Sequence, residues 1–341
     1  MRISRLDPAD TEAIDQAHAA AEAAFAVDRP GVPLLARDSF AALLTVPKAE
    51  TLAVTVLAHV DGKVVGHAFV EMFESDNKHL AEIWGMVAPE HRHKGVGRAL
   101  LDGVVEVVKE HGRDTIITDT HAPIEPDGQG SRDGERFCEA AGFTAASTEG
   151  SYRLDLTTVD DERLETLRKD AWSKAEGYSL IQWCDGTAGP TPDEVLQGLA
   201  DLLSNFYGDT PTGSLDVEQL AYTPERVQAD NTRAAGQNRR TINTAVRHDA
   251  SGEVIAWTKI HVRPSAPHYG MQGITMVRAD HRGHRLGMVL KTENLRQVRE
   301  VAPDMEVVDT GNANDNAPML AVNEALGFRG LQAGTYWQVK V

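Results

Sequence analysis

Cysteine is nearly missing: Cys138 and Cys184, one in each half, are the two thiols among 341 residues. So few cannot form a disulfide framework, and the chain is expected to work in a reducing compartment, the cytoplasm. Zinc would have to recruit histidines. His91 with His93 and His281 with His284 are the pairs on offer, but each adjoins arginines in an expected loop, a poor setting for a cation. Long apolar runs are lacking too. The best stretches, Val104 to Val108 and Ile14 to Phe25, are short or broken by charge, so none approaches the roughly 20 residues a membrane span needs. The N-terminus shows no basic region leading into an apolar core, so no secretory signal is expected. Basic residues are the minority, 34 against 51 acidic, for a formal net charge of -17. Phosphate backbones would be repelled, which argues against nucleic acid as a partner. The acidity would suit a cationic small molecule such as a polyamine or amino sugar, and would equally serve solubility alone.

What the chain does contain, it contains twice. Val87, His91, Arg92 and Gly97 recur 190 positions later as Val277, His281, Arg282 and Gly287, and Gly62 to Gly66 is answered at the same offset by Gly252 to Ala256. Glu139 to Phe143 returns as Glu324 to Phe328, displaced by 185, so one copy has the longer loop in between. A period this long is the size of a domain rather than of a solenoid unit. We therefore expect an N-terminal domain over 1–156, a charged helical linker over 157–176, and a C-terminal domain over 177–341.

In the first copy, Ala9 to Phe25 has helical apolar spacing. Thr51 to His59 and Lys63 to Phe73 read as strands joined by a hairpin at Asp61-Gly62. Leu80 to Val87 is another strand. The next segment places Val96, Ala99, Leu100, Gly103, Val104, Val107 and Val108 on one helical stripe that must pack on a sheet. Strand Thr115 to Thr118, a loop to Arg132, a short helix to Ala141 and a final strand pair to Leu156 follow. The second copy repeats the order: Ser179 to Trp183, a helix near Asp193 to Phe206, strands flanking Gly252, strand Met271 to Val277, a helix from Leu286, strand Glu306 to Thr310 and a helix from Ala317 to Leu326. Alternating strands and helices in both copies predict α/β domains, each with a mixed sheet.

Between Leu80–Val87 and its helix lies Arg92-His93-Lys94-Gly95-Val96-Gly97. Glycine lets this backbone turn tightly and bring its N–H groups close to a ligand. The helix start then offers free amides and a positive dipole end to an anion such as a pyrophosphate. With the strand before, the amphipathic helix after and Gly142-Phe143 downstream, these residues resemble the GNAT superfamily of acyl-CoA-dependent N-acyltransferases, whose signature Arg92, Gly95 and Gly97 match in full. The second turn reads Arg282-Gly283-His284-Arg285-Leu286-Gly287, with Arg285 where the first glycine belongs; Arg285 could instead contact a phosphate. The layout is similar to tandem two-domain acetyltransferases of actinobacteria.

The resemblance implies transfer of an acetyl group from acetyl-CoA to the primary amine of a small acceptor by direct attack. It implies amides from His93 to Arg98 around the CoA diphosphate, and a strand amide near Met86 or Val87 on the acyl carbonyl. The acceptor must lose a proton, and Glu82, ten residues before Arg92, stands where several members carry the base. Gln272 is its counterpart and cannot accept a proton. Glu82 could also be an ordinary strand carboxylate. The family's tyrosine acid is replaced by Cys138 and Asn323, which leaves water, Tyr152 or Tyr336 to protonate the leaving thiolate; Cys138 reads better as a small buried helix thiol. Ser131 and Asn316 occupy the position of the family's CoA-facing asparagine. With Val277 and Asn312 they complete the cofactor residues implied, though Asn312 could equally cap its loop. Asp127, Asp209 and Asp216 could hold a cationic acceptor, or simply serve turns. The alternative is a CoA-binding regulatory or scaffold protein with one or both sites silent. The sequence does not speak to oligomeric state.

Overall fold

The computed structural model describes residues 1–341 except Ala49, Pro126, Asp127, Thr187, Ala188, Thr210 and Pro211, and the side chains of Tyr207 and Asp209. Asp127 and the Asp209 carboxylate thus lie outside the described residues. Elements run β1 (Arg2–Arg5), α1 (Thr11–Asp28), α2 (Arg37–Thr45), β2 (Thr51–Val60), β3 (Lys63–Phe73), β4 (Leu80–Val87), α3 (Val96–Glu110), β5 (Thr115–Ala122), α4 (Asp133–Ala140) and β6 (Thr144–Asp155). They continue with α5 (Asp161–Trp172), β7 (Tyr178–Asp185), α6 (Asp193–Ser204), α7 (Phe206–Asp209), α8 (Pro224–Gly236), β8 (Arg240–His248), β9 (Val254–Arg263), β10 (Ala266–Val277), α9 (Leu286–Val301), β11 (Val307–Ala313), α10 (Ala317–Leu326) and β12 (Arg329–Lys340). The final strand pair read from the sequence is one strand, β6, because no turn interrupts 144–155.

Two compact units result, and neither is contiguous. One holds Met1–Glu149, Thr212–Glu218 and Gln332–Val341; the other holds Gly150–Pro211 and Gln219–Leu331. The repeat and the compact unit are therefore different partitions of the chain.

In the first unit the strands lie in the order β1-β2-β3-β4-β5-β12. β12 runs antiparallel to β5, from Ala333 opposite Ala122 to Lys340 opposite Thr115. The Asp61-Gly62 hairpin closes with both residues at positive φ, 49° and 83°, as a primed turn requires. The apolar stripe of α3 buries Val96, Leu100, Val104, Val107 and Val108 against Ala81, Ile83, Ile116 and Trp337. α1 and α2 cover part of the opposite face, where Ala17, Ala21, Phe40 and Leu44 meet Leu57 and Phe69. Each large side chain so buried is worth about 1.5–3 kcal/mol.

The second unit repeats this plan with β7-β8-β9-β10-β11, and β6 beside β11. α9 packs on one face, with Leu286, Val289, Leu290 and Val298 in the core. α6 and α8 cover the other, setting Leu199, Leu202 and Val227 against Trp257 of β9. α5, the helix of the charged linker, is docked rather than free: Leu164 and Ala171 join the core, and Asp160 caps its first turn.

β4 and β5 are paired in parallel only from Leu80–Thr115 to Glu82–Ile117, then part. β10 and β11 do the same, pairing from Tyr269–Val307 to Met271–Asp309. Past each point the facing backbone groups have lost their ladder, and a slot opens for a guest that can bond to them.

Candidate active site

At the top of each slot a short 3-10 turn leads into the long helix. The first turn has left-handed residues at His93 (φ 56°) and Gly95 (φ 83°); the second has them at Gly283 (φ 89°) and Arg285 (φ 56°). The two turns thus share one conformation, with the glycine at opposite members of the left-handed pair. Arg285 adopts the shape that Gly95 adopts freely, at a cost of about 1–2 kcal/mol. No side chain caps either helix, and Ala99 is the first residue of α3 whose amide bonds back, to the Gly95 carbonyl at 3.1 Å. Hence the amides of Val96, Gly97 and Arg98 have no partner among the described residues, and those of Leu286 and Gly287 are in the same position. Orphan amides in a left-handed turn at a helix start are an anion cradle.

The arginines that open the two turns hold the turns themselves. Arg92 donates from Nε to the Val87 carbonyl (3.1 Å) and forks onto Asp28 (2.7 and 2.9 Å), with Asp133 at 3.4 Å. Arg282 repeats the Nε bond to Val277 (3.2 Å). Arg285 pairs with Asp170. Lys94 donates to the Glu90 carbonyl and Arg98 pairs with Asp102, both at the surface, and the exposed His93 ring lies 3.6 Å from Asp133. His284 packs on Tyr178, whose hydroxyl hydrogen-bonds His281 at 2.9 Å.

Below the first turn, on the face shared with α1 and α2, Glu82 stands at the last β4–β5 pair and directly across from Glu71 on β3. Like charges set opposite each other repel. Burial pushes the Glu82 carboxyl up to about 7; Lys48 counters this, while Glu71 and Asp119 add to it. Glu71 is fully buried, takes an ion pair from Lys48, and keeps Oε1 without a partner among the described residues. Lys48 also lies 5.8 Å over the ring of Trp84, which is 38% exposed and stacks on Phe69. Burial opposes ionisation of Asp119, yet His121 at 3.2 Å, Arg29 and Trp84 outweigh it and hold its pKa low. Burial raises Glu149, and Asp119 adds to it. The recess is therefore acidic, with an exposed aromatic plate beside a carboxylate poised near neutrality.

Other predicted residues fall elsewhere. Met86 packs toward α1 and Val87 toward α3. Tyr152 lies in the second unit, packed on its core. Tyr336, on β12 of the first unit, stands opposite Asp119. Cys138 is buried, which pushes its thiol up to about 12 and leaves it protonated. Ser131 accepts from the Asp133 amide at the start of α4, and Asn316 caps α10. Asn312, on β11 beyond the parting point, keeps a buried Nδ2 without a partner among the described residues. Gln272 donates to Thr258 and to the Lys259 carbonyl. Asp216 pairs with Lys340 and His79, tying 212–218 into the first unit. Glu71, Lys48 and Trp84 were not found from the sequence; Glu71's hairpin register with Glu82, and Trp84's place two residues along the same strand, are the signals that could have pointed to those two.

The parted parallel strands and the uncapped turn in each half define two GNAT-type domains in tandem, the class to which this fold belongs. Residues 20–126 match the model of the Acetyltransferase (GNAT) family. Among solved structures, the chain is similar to a tandem GNAT protein from the clavulanic acid biosynthesis pathway, at 26% identity and TM-score 0.79, covering 99% of this chain and 98% of that one. It shares its fold with a GCN5-related N-acetyltransferase from Sphaerobacter thermophilus (17% identity, TM-score 0.64, 99% and 95% covered). The same holds for a GCN5-related glucosamine N-acetyltransferase region of a fungal β-N-acetylglucosaminidase (17%, TM-score 0.68, 99% and 38% covered). No curated protein matches the sequence. The protein is an enzyme, an acyl-CoA-dependent N-acyltransferase. Among the described residues no helix is long and apolar enough to cross a membrane.

Proposed function

We propose that the first unit transfers an acetyl group from acetyl-CoA to the primary amine of a small cationic acceptor, in the cytoplasm. The observation that carries this is Glu82: a carboxylate held near 7 at the point where β4 and β5 part, below a turn with three orphan amides. Those amides suit the diphosphate, with Lys94 and Arg98 free to exchange exposed surface contacts for phosphate oxygens. A β4 amide at Met86 or Val87 donates to the acyl carbonyl. The thioester supplies an activated acyl group. Trp84, Glu71 and Asp119 draw the ammonium in; Glu82 takes its proton, and the neutral amine attacks. Tyr336, on the same unit, is our candidate for returning a proton to the thiolate, in preference to Tyr152.

Acetyl-CoA turnover should be assayed by thiol release with spermidine and glucosamine against glutamate as acceptors. Transfer to the cationic amines alone, reduced about 10²–10⁴-fold in Glu82→Gln with CoA affinity unchanged, supports the reading. Equal turnover in Glu82→Gln sinks it. The second unit, whose Gln272 is already committed to Thr258 and the Lys259 carbonyl, fits a cofactor-binding but non-transferring role.

A further inference from the structure

The equivalent recess of the second unit carries the opposite charge. Trp257, Lys259, His261 and Arg263 alternate along β9 and so share one face, that of α6 and α8, where Trp257 meets Leu199. Lys259 is opposite Asn243 and His261 opposite Thr241 on β8. Gly273, at an irregularity in β10, makes the room: a Cβ there would meet His261 Nε2 at 3.1 Å and Lys259 Cγ at 3.2 Å. Arg239, just before β8, is close enough to Arg263 and Lys259 to be felt by both, and its buried Nε has no partner among the described residues.

None of Lys259, His261, Arg239 and Arg263 has a carboxylate within ion-pair distance among the described residues. Among the described residues, two carboxylates face the group. Asp185 is enclosed by Trp183, Thr191 and Asn243 at 2.8–3.0 Å, and Asp230 lies on α8 with Arg233. Burial, and then the mutual repulsion of the cations, pulls Lys259 down to about 8 and Arg239 to about 10, and holds His261 well below its usual value. A protein gains nothing by crowding half-buried cations unless an anion completes them.

We propose that this recess binds a small anion, a carboxylate- or phosphate-bearing metabolite, held by Lys259, His261, Arg239 and Arg263 beside the β10–β11 slot. The inference stands apart from the role given to Glu82. Bound anion would return protons to the group, chiefly to neutral His261.

The full chain should be titrated with citrate, and separately with inorganic phosphate, against sodium chloride at matched ionic strength. We expect a rise in melting temperature beyond that of the salt control. Calorimetry near pH 7 in buffers of differing ionisation enthalpy should show proton uptake. Lys259→Met should melt higher than the unaltered protein without anion and lose the anion-induced rise, whereas Lys259→Arg should keep it. An absent rise, or a rise without proton uptake in the unaltered protein, overturns the proposal. So does a Lys259→Met variant that keeps the rise, or one whose loss is of CoA affinity instead, which would assign the cations to the cofactor's own phosphates.

Discussion

At Glu82, the base we propose, the chemistry and the stability of the fold are set against each other. Its carboxyl is raised to about 7, so the folded state holds the proton more tightly than the unfolded chain does. The sign follows: below about pH 4.5 the group costs nothing, the cost grows as pH rises toward 7, and above 7 it is fully present, up to about 3 kcal/mol. We expect Glu82→Gln to raise the melting temperature at pH 8 and leave it nearly unchanged at pH 4.5, which differential scanning calorimetry would read. Over the same range, kcat/KM of the unaltered enzyme should climb to a plateau above 7, and the slope should vanish in the variant. Tyr336→Phe should lower kcat more than Tyr152→Phe does, in a stopped assay of thiol release. Glu82 could be singled out in the sequence because it sits ten residues before a recognisable turn, and the structure sets it at the last β4–β5 pair. Glu71 and Lys48 could not be, since they reach the site through register and through a loop far off in sequence, whereas Trp84, two residues along the same strand, was open to a period-two reading that was not made.

Among the elements, those with a strong period could be read to the residue: β3, β4 and α10 have the bounds their sequences announce. α2 and α8 were missed because each buries little apolar surface; α8 hides only Arg226, Val227 and Ala234. α3 is held by its stripe, and Leu100→Ala should cost about 2–5 kcal/mol by denaturant titration. α9 departs from that pattern at Lys291, which takes the place of Leu101 and is buried against Phe328 with Asn323, the counterpart of Cys138, as its hydrogen-bond partner. Burial pulls Lys291 down to about 7. A lowered amine costs stability below its folded value and regains it as pH rises toward 10.5. The double variant Lys291→Leu with Asn323→Cys, which imports the first copy's pair, should therefore melt higher at pH 6 and lose the rise in stability between pH 7 and 10. An unchanged pH profile would show that Lys291 is better solvated than its burial implies. In the turns, Arg285→Gly relieves a left-handed residue and should be neutral or stabilising, whereas Gly95→Ala, in open space, should cost about 1–2 kcal/mol from backbone strain alone.

At the scale of the molecule, the duplication was visible as spaced motifs, and so was the mixed sheet of each copy. The exchange of segments was not, because pairing between 333–340 and 115–122 leaves no periodic mark in either stretch. Its effect is measurable. Deleting 332–341 strips β12 from β5 and removes Trp337 from the α3 core, so acyl transfer and the protease resistance of residues 1–149 should both be lost. Retained activity in that truncation would contradict the assignment of chemistry to the first unit. The same interlacing bears on inheritance. An ancestral gene holding one copy could once have been translated alone, but a present-day split of the reading frame would yield two polypeptides each lacking a strand that only its sister encodes. A nonsense mutation just ahead of codon 332 would thus disable the half made first, and selection can no longer treat the two copies as separable.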